Sequence, residues 1–564
     1  MNTEQSKTKV IRFWANTWHC RKPEANAVGV KERLQLIHPD GSVEWKDNLE
    51  IYHDPIRPFW ITLPQYRNHD YKKEFESLDR CEKFLCHDSA LEETIAKALG
   101  NPLGYRKPHL RVLCNSPYVY GADIDTPTII KQTYVRRVPV GKVATYTKGG
   151  LDIEAEVRGD HRINIITFIH EKEIYTTALR EYCKVHSSET DSTPATEEDC
   201  LKVIYEMLDF YFKEHGFTLH FHIAETELEE IKWIFNKIHL SKTDYIGVWN
   251  LGFDIPHILE RIAANGGDAA EIMCHPDVPH AYQFCEWTED KTPTQHFTDK
   301  WHWLTLPGYS QFLDSMCLYA RLRKVSGRES SYSLDDISTK EIGKGKLHFG
   351  DITNHWYMQN RRFLEYIAYN INDVIIMQLM EWQNNDMGAL AALSGMSLLS
   401  HFSRQTVMVK NDAYAYGLDN GKVPATAGLK MFTDFDNRMP KAGGTVLPPN
   451  KAVGTGINAV KEFNRQTQVS VLTNDLDVSS MYPSITSAFN ISKETAQTTV
   501  LKINGHQPWE TEVYFSGIIQ PEINAVPLAE RFYGFDGYLK LAERFRRDSA
   551  TLKMSDGTTR VLLK

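Results

Sequence analysis

The sequence predicts a mixed α/β, multidomain protein. Three observations carry that expectation. The chain has 564 residues, and a single hydrophobic core stops growing at roughly 250–300. Apolar residues alternate in some stretches and recur at helical spacing in others. Two apolar runs pass from a strand-like pattern through a short turn into a helix-like one, as α/β units do.

Taken in order, Leu151–Val157 alternates as a strand, so Asp152, Glu154 and Glu156 share one face. Ile163–Ile169 reads as its hairpin partner. His186–Glu198, rich in Ser, Thr and Pro, reads as a loop. Leu201–Glu214 follows as an amphipathic helix, with Val203, Ile204, Met207, Leu208 and Tyr211 at helical spacing. Tyr245–Trp249 is an apolar strand whose turn delivers Asp254 to a helix over Pro256–Ala264. Residues 281–311 are aromatic and strand-like around a polar middle, Glu289-Asp290-Lys291, and read as a long hairpin. Tyr366–Asp373 reads as helical, with Tyr369 and Asp373 four apart on one face. Pro440–Gly456, with Gly443-Gly444 and Pro448-Pro449, reads as an inter-domain connection. Val469–Leu472 then reads as a strand that delivers Asp477 before a turn and a helix.

The bulk composition is 42% apolar, 11% aromatic and 24% charged, with a net charge of −9. That is ordinary for a soluble protein. It does not advertise nucleic-acid binding, yet an acidic chain can gather its basic residues along one channel. The 9 cysteines are scattered, odd in number and without a C-x-x-C pair, which predicts neither zinc site nor disulfide framework and a reducing, cytoplasmic setting. The first ten residues lack an apolar signal core, and no run approaches the ~18 apolar residues of a membrane span. No membrane partner is expected.

Each acidic segment has an ordinary reading by itself. Asp152, Glu154 and Glu156 can form a solvated strand face, Asp254 can cap a helix, and Tyr369 with Asp373 can be an aromatic–acid pair on a helix surface. Together, D-I-E, N-L-G-F-D and Y-x-x-x-D, in that order and within one domain's length, resemble the three exonuclease motifs of family B DNA polymerases. The resemblance implies a ribonuclease H-like fold, a mixed sheet flanked by helices with carboxylates meeting at its edge. Phosphodiester hydrolysis needs a nucleophile at neutral pH and a stabilised leaving oxygen, which two metal ions about 4 Å apart supply. Mg²⁺ prefers oxygen ligands, hence Asp and Glu without His or Cys, and Mn²⁺ is the alternative. By resemblance, Asp152, Glu154, Asp254 and Asp373 hold the metals and Tyr369 orients the attacking water. Asn250 and Phe253 place the 3′ end, and Asp314 is a further position of the same domain. The hairpin-like segment falls where T-even phage polymerases carry a strand-separating hairpin.

Asp477-Val478-Ser479-Ser480-Met481-Tyr482-Pro483-Ser484-Ile485 resembles motif A of the same family. The resemblance implies that Asp477 binds catalytic metal, that backbone N–H groups through Ser479, Ser480 and Met481 cradle a dNTP triphosphate, and that Tyr482 packs under the deoxyribose. Asn490–Thr495, Lys344-Gly345-Lys346-Leu347 and Gly517-Ile518-Ile519 extend the likeness to T-even-type phage enzymes. Lys441-Ala442-Gly443-Gly444 departs from it by lacking a Tyr. The family's N-S-x-Y-G helix and D-T-D-S strand do not follow Asp477, and Tyr120–Asp125 only mimics the latter.

These likenesses give four expected domains. An N-terminal domain spans 1–148, with the chain returning to it at about 390–440. A 3′→5′ exonuclease domain spans 149–388, the first part of a polymerase palm 441–516, and the start of the fingers 517–564. The expected function is the N-terminal subunit of a split family B DNA polymerase with proofreading exonuclease. The expected partners are primer–template and single-stranded DNA, dNTP, a second polypeptide with the remaining fingers, palm and thumb, and a sliding clamp through that second chain. The alternatives are a free-standing 3′→5′ exonuclease and a piece of a one-chain polymerase.

Overall fold

The computed structural model describes residues 8–425 apart from 23–24, 70–71, 74, 101–108, 137–145, 189–190, 293–294 and 350–353, together with the strands 496–502, 511–518, 549–553 and 559–563. The chain is mixed α/β and divides into two compact units, Met1–Met431 and Phe432–Lys564.

The first unit begins with an antiparallel meander of β1 (Lys9–Lys22), β2 (Ala25–Ile37) and β3 (Val43–His53). After it come β4 (Ile56–Thr62), β5 (Phe75–Ser77), β6 (Cys81–His87), α1 (Leu91–Ala98), α2 (Leu110–Leu113), β7 (Val119–Tyr120) and α3 (Thr126–Val135). β4 is the middle strand of a second sheet, between β6 and β7. Its Phe59 and Ile61 bury against Leu91, Ile95 and Leu113.

A six-stranded sheet follows, in the order β13-β10-β9-β8-β14-β17. Its strands are β8 (Lys148–Ala155), β9 (Ile163–His170), β10 (Glu173–Leu179), β13 (Thr218–Ala224), β14 (Tyr245–Val248) and β17 (Gln311–Asp314), with the short β11 (Lys184–His186), β12 (Ser192–Pro194), β15 (Glu286–Thr288) and β16 (Trp303–Thr305) outside it. β9 runs antiparallel to both of its neighbours, β8 and β10, whereas β14 runs parallel to both β8 and β17. The helices are α4 (Glu197–His215), α5 (Glu227–Ser241), α6 (Leu251–Ala264), α7 (Ala269–Met273), α8 (Ser315–Leu322), α9 (Leu334–Ile342), α10 (His355–Arg361), α11 (Phe363–Asn384) and α12 (Asp386–Ser394).

The near-continuous apolar run of β9 is what a strand buried on both faces needs. Ile165 and Ile169 pack with α4 and α11 through Ile204, Leu208, Ile367 and Ile371. Ile166 and Phe168 pack with α5 and α6 through Ile231, Phe235, Ile255 and Ile258. The sheet is therefore sandwiched between helices. Gly150 lets α11 settle on β8, since a Cβ there would lie 2.9 Å from Met377 Cε and 3.5 Å from Val374 Cγ1.

Asp244, at the start of β14, is fully buried and pairs with both Lys31 and Arg33 of β2 while accepting the Thr147 N–H at 2.7 Å. This ties the N-terminal meander to the six-stranded sheet. The chain later returns to the N-terminal segment. After α13 (Gln405–Asp419), β18 (Lys422–Pro424) pairs with β5, and the Tyr414 ring meets Trp60 edge-on at 6.2 Å.

Three elements differ from expectation. Residues 186–198 are not featureless. β11 and β12 pair, and a Thr196/Asp199 capping box starts α4 before Leu201. The long hairpin over 281–311 is only a short ladder, Glu286 to Thr288 against Trp303 to Thr305. Its connection curls into a 3-10 turn at Phe297–Asp299, where Asp299 pairs with Lys324 and Arg328. The helix expected from Pro256 begins five residues earlier, at Leu251, with Pro256 inside it.

In the second unit β19 (Ala496–Lys502) pairs antiparallel with β20 (Thr511–Ile518), and β21 (Ser549–Lys553) with β22 (Thr559–Leu563). Among the described residues no helix is long and apolar enough to cross a membrane.

Candidate metal centre

The site begins where β14 stops. Its pairing with β8 ends at Val248 opposite Leu151, and the chain turns through Asn250 into α6. Asp152 and Glu154 therefore lie on an interior strand, not at the outer edge of the sheet. Past Leu151, however, no strand among the described residues covers their β14 side, which makes a local edge. The Asn250 carbonyl accepts from Phe253 N–H at 3.0 Å and Asp254 N–H at 3.2 Å. Asp254 thus sits in the first helical turn and is not the cap. Asp314 holds this turn in place. It caps α8 by accepting the Cys317 N–H at 2.7 Å, and its other oxygen accepts the Leu251 N–H at 3.2 Å.

α11 supplies the opposite wall. Tyr366, Tyr369, Asn370 and Asp373 fall on one helical face. Oxygens of Asp152, Glu154 and Asp373 lie within 4.8 Å of one another. Asn370 Nδ2 donates to Asp152 Oδ2 at 2.7 Å, and the Tyr366 hydroxyl donates to Glu154 Oε2. Lys346 Nζ donates to Asp373 Oδ2 at 2.5 Å and to the Tyr369 hydroxyl at 3.1 Å. Gly345 makes that reach feasible, because a Cβ there would lie 2.3 Å from Asp335 Oδ1. The same Asp335 oxygen accepts the Lys346 N–H at 2.7 Å.

The electrostatics are those of a site short of positive charge. Burial, then the Asp254 and Asp373 charges, push the Asp152 carboxyl well above the usual range. Burial and the neighbouring Glu154 do the same to Asp254. Burial lifts Glu154 to about 7, although the Tyr366 bond opposes it. Burial lifts Asp373 to about 6 against the pull of Lys346. Burial works against the Lys346 charge too, but Asp373 outweighs it and raises the ammonium's pKa. One lysine does not balance four converging carboxyls.

A cation fits this donor set. The ligands are hard oxygens, suited to Mg²⁺ or Mn²⁺. Asp373 Oδ1 is buried and bonds no described protein group, which leaves a lone pair for a metal. Asp152, Glu154 and Asp373 could hold one ion.

Asn250 is exposed at the N-cap of α6, and Phe253 is 59% exposed with its ring stacked on His257 at 6.1 Å. Tyr369 stacks on Tyr366 at 5.7 Å. Glu156 does not join the cluster. β8 ends at Ala155, and Arg162, at 2.9 Å, and the Tyr182 hydroxyl draw Glu156 away. Asp477, Ser479, Ser480, Met481 and Tyr482 lie outside the described residues. Sequence reasoning gave no role to Lys346, Tyr366 and Asn370. The two helical residues were findable, lying seven and three residues before Asp373 on its own face. Lys346 is in a loop, where no periodicity points to it.

No protein-family model matches the chain, and no curated protein matches it.

Proposed function

We propose that the chain carries a metal-dependent 3′→5′ exonuclease acting on single-stranded DNA, as the nuclease-bearing part of a family B-like DNA polymerase. The observation that carries this is the convergence of Asp152, Glu154 and Asp373, with Asp254 beside them. Three sequence motifs spread over more than 200 residues meet at one partly buried acidic cluster. The sheet supports a ribonuclease H-like reading, since three antiparallel strands are followed by two parallel ones, with the acids on the first strand.

Two Mg²⁺ or Mn²⁺ ions held by these carboxylates would lower the pKa of a bound water and stabilise the leaving oxygen. The chain's own groups do the rest. Lys346 holds the Tyr369 hydroxyl beside Asp373, where it can orient a water. Asn370 and Tyr366 fix the Asp152 and Glu154 oxygens, so little reorganisation is needed when charge develops. Phe253 offers an exposed aromatic face to an unpaired base, and stacking of this kind is worth about 1–3 kcal/mol and tolerates any sequence. Asn250, exposed one residue before α6, is placed to contact the strand end. A pocket of about 410 Å³ opens next to Glu154 between residues 153–161, α6 and His355, with room for one nucleotide.

The polymerase half of the reading rests on the Asp477–Ile485 motif alone. It carries the proposals of primer–template and dNTP binding, of a second polypeptide completing the polymerase site, and of a clamp reached through it. Primer extension that fails when Asp477→Ala is introduced supports it, and extension unaffected by that change overturns it. The nuclease is tested with Asp152→Ala combined with Glu154→Ala. Mg²⁺-dependent degradation of single-stranded DNA should fall by about 10³-fold or more, because metal assistance supplies several kcal/mol. Equal activity in the variant would refute the assignment.

A further inference from the structure

The pocket beside Glu154 has a second polar wall that the proposed function leaves unused. His355, the first residue of α10, lines it together with Phe253 and His257. Its Nδ1 lies 3.0 Å from the Tyr366 hydroxyl. With Glu154 ionised, as metal binding requires, the hydroxyl's one proton goes to Glu154 Oε2. The phenolic oxygen can therefore only accept from His355, so the imidazole carries its proton on Nδ1. Nε2 is then a lone-pair acceptor. Among the described residues no protein group bonds it. The ring is held edge-on to both tyrosines, at 5.9 Å from Tyr366 and 6.2 Å from Tyr369. A swing of the imidazole would break the bond to Tyr366 and both ring contacts.

Resting on the nuclease reading, we propose that His355 reads the end of the strand. Nε2 accepts a hydrogen bond from the free 3′-hydroxyl of the terminal nucleotide, while Nδ1–H positions Tyr366 against Glu154. The rest of the pocket fits such an end. A base on the Phe253–His257 pair leaves its sugar facing the His355 wall. The carboxylates of Glu154, Glu156 and Glu260 on the lining disfavour an extra anionic group there. A terminus with a hydroxyl donor is accepted, and one that lacks a donor or ends in phosphate is disfavoured. His355 is thus a positioning residue for Glu154 and the specificity determinant for the terminus.

The test uses the full chain with Mg²⁺ and 5′-labelled single-stranded oligonucleotides that end in a 3′-hydroxyl or in a 2′,3′-dideoxynucleotide. Wild type should prefer the hydroxyl end by about tenfold in kcat/KM, the worth of one hydrogen bond in a partly enclosed site. His355→Ala should abolish the preference and lower kcat on both ends. His355→Asn places an amide donor near the Nδ1 position and nothing at Nε2. It should recover part of the lost kcat but not the preference, a split that a merely structural histidine would not produce. If His355→Ala does not fold, His355→Asn decides alone. Wild type without end preference, or a variant that keeps it, overturns the proposal and leaves the nuclease standing. Absence of Mg²⁺-dependent degradation of either end by wild type overturns the nuclease reading itself.

Discussion

Among the described residues Lys346 is the one positive side chain bonded into the acidic cluster, and it touches both Asp373 and Tyr369. Lys346→Met removes a charged hydrogen-bond donor worth about 1.5–3 kcal/mol, so kcat on single-stranded DNA should drop about 10- to 100-fold. The fall should appear in single-turnover rates while the thermal melt stays close to wild type. The cluster also sets a pH dependence. Glu154 and Asp373 titrate at about 7 and about 6 without a metal. Both are raised above ordinary carboxyls, so protons compete for the ligand oxygens up to near neutrality. Metal binding releases those protons. Mn²⁺ affinity measured by calorimetry should weaken by roughly tenfold or more between pH 8 and pH 5.5. A flat affinity over that range would show that the carboxyls do not hold the ion.

At the scale of elements, the site depends on how α11 rests on β8. Gly150 is the contact point, 2.9 Å from Met377 Cε once a Cβ is added. Gly150→Val should lift α11 and cost about 1–3 kcal/mol by overpacking. It should also weaken metal binding, since Asp373 rides on that helix, and a variant with full Mn²⁺ affinity would break the link. The sequence made some of this readable. Alternation placed Asp152 and Glu154 on one strand face, and the four-residue spacing placed Tyr369 with Asp373. Other features escaped for physical reasons. Pro256 looked like a helix start, but it is the sixth residue of α6, where its ring forgoes one intrahelical N–H bond, and the oxygen of Asp314 that accepts the Leu251 N–H, from 63 positions away, fixes the start at Leu251. Glu156 continued the alternation but lost its place to Arg162 and Tyr182. Lys346 depends on Gly345 and Asp335, a tertiary contact with no local signature.

Across the whole first unit, the buried Asp244 joins the N-terminal meander to the sheet that carries the acids. Asp244→Ala takes the carboxylate from Lys31 and leaves Arg33 with Asp47 alone, and should cost about 3–5 kcal/mol, read as a lower midpoint in urea. A change below about 1 kcal/mol would mean that the meander is held by other contacts. In the proposed function, separate stretches of this chain converge to cut DNA from one end with a bound cation. A time course with a 5′-labelled single-stranded oligonucleotide tests that most directly. Wild type with Mg²⁺ should give a ladder that shortens one nucleotide at a time, and both chelation and Asp373→Asn should stop it. Intact substrate under wild-type conditions, or a ladder that survives Asp373→Asn, would contradict it.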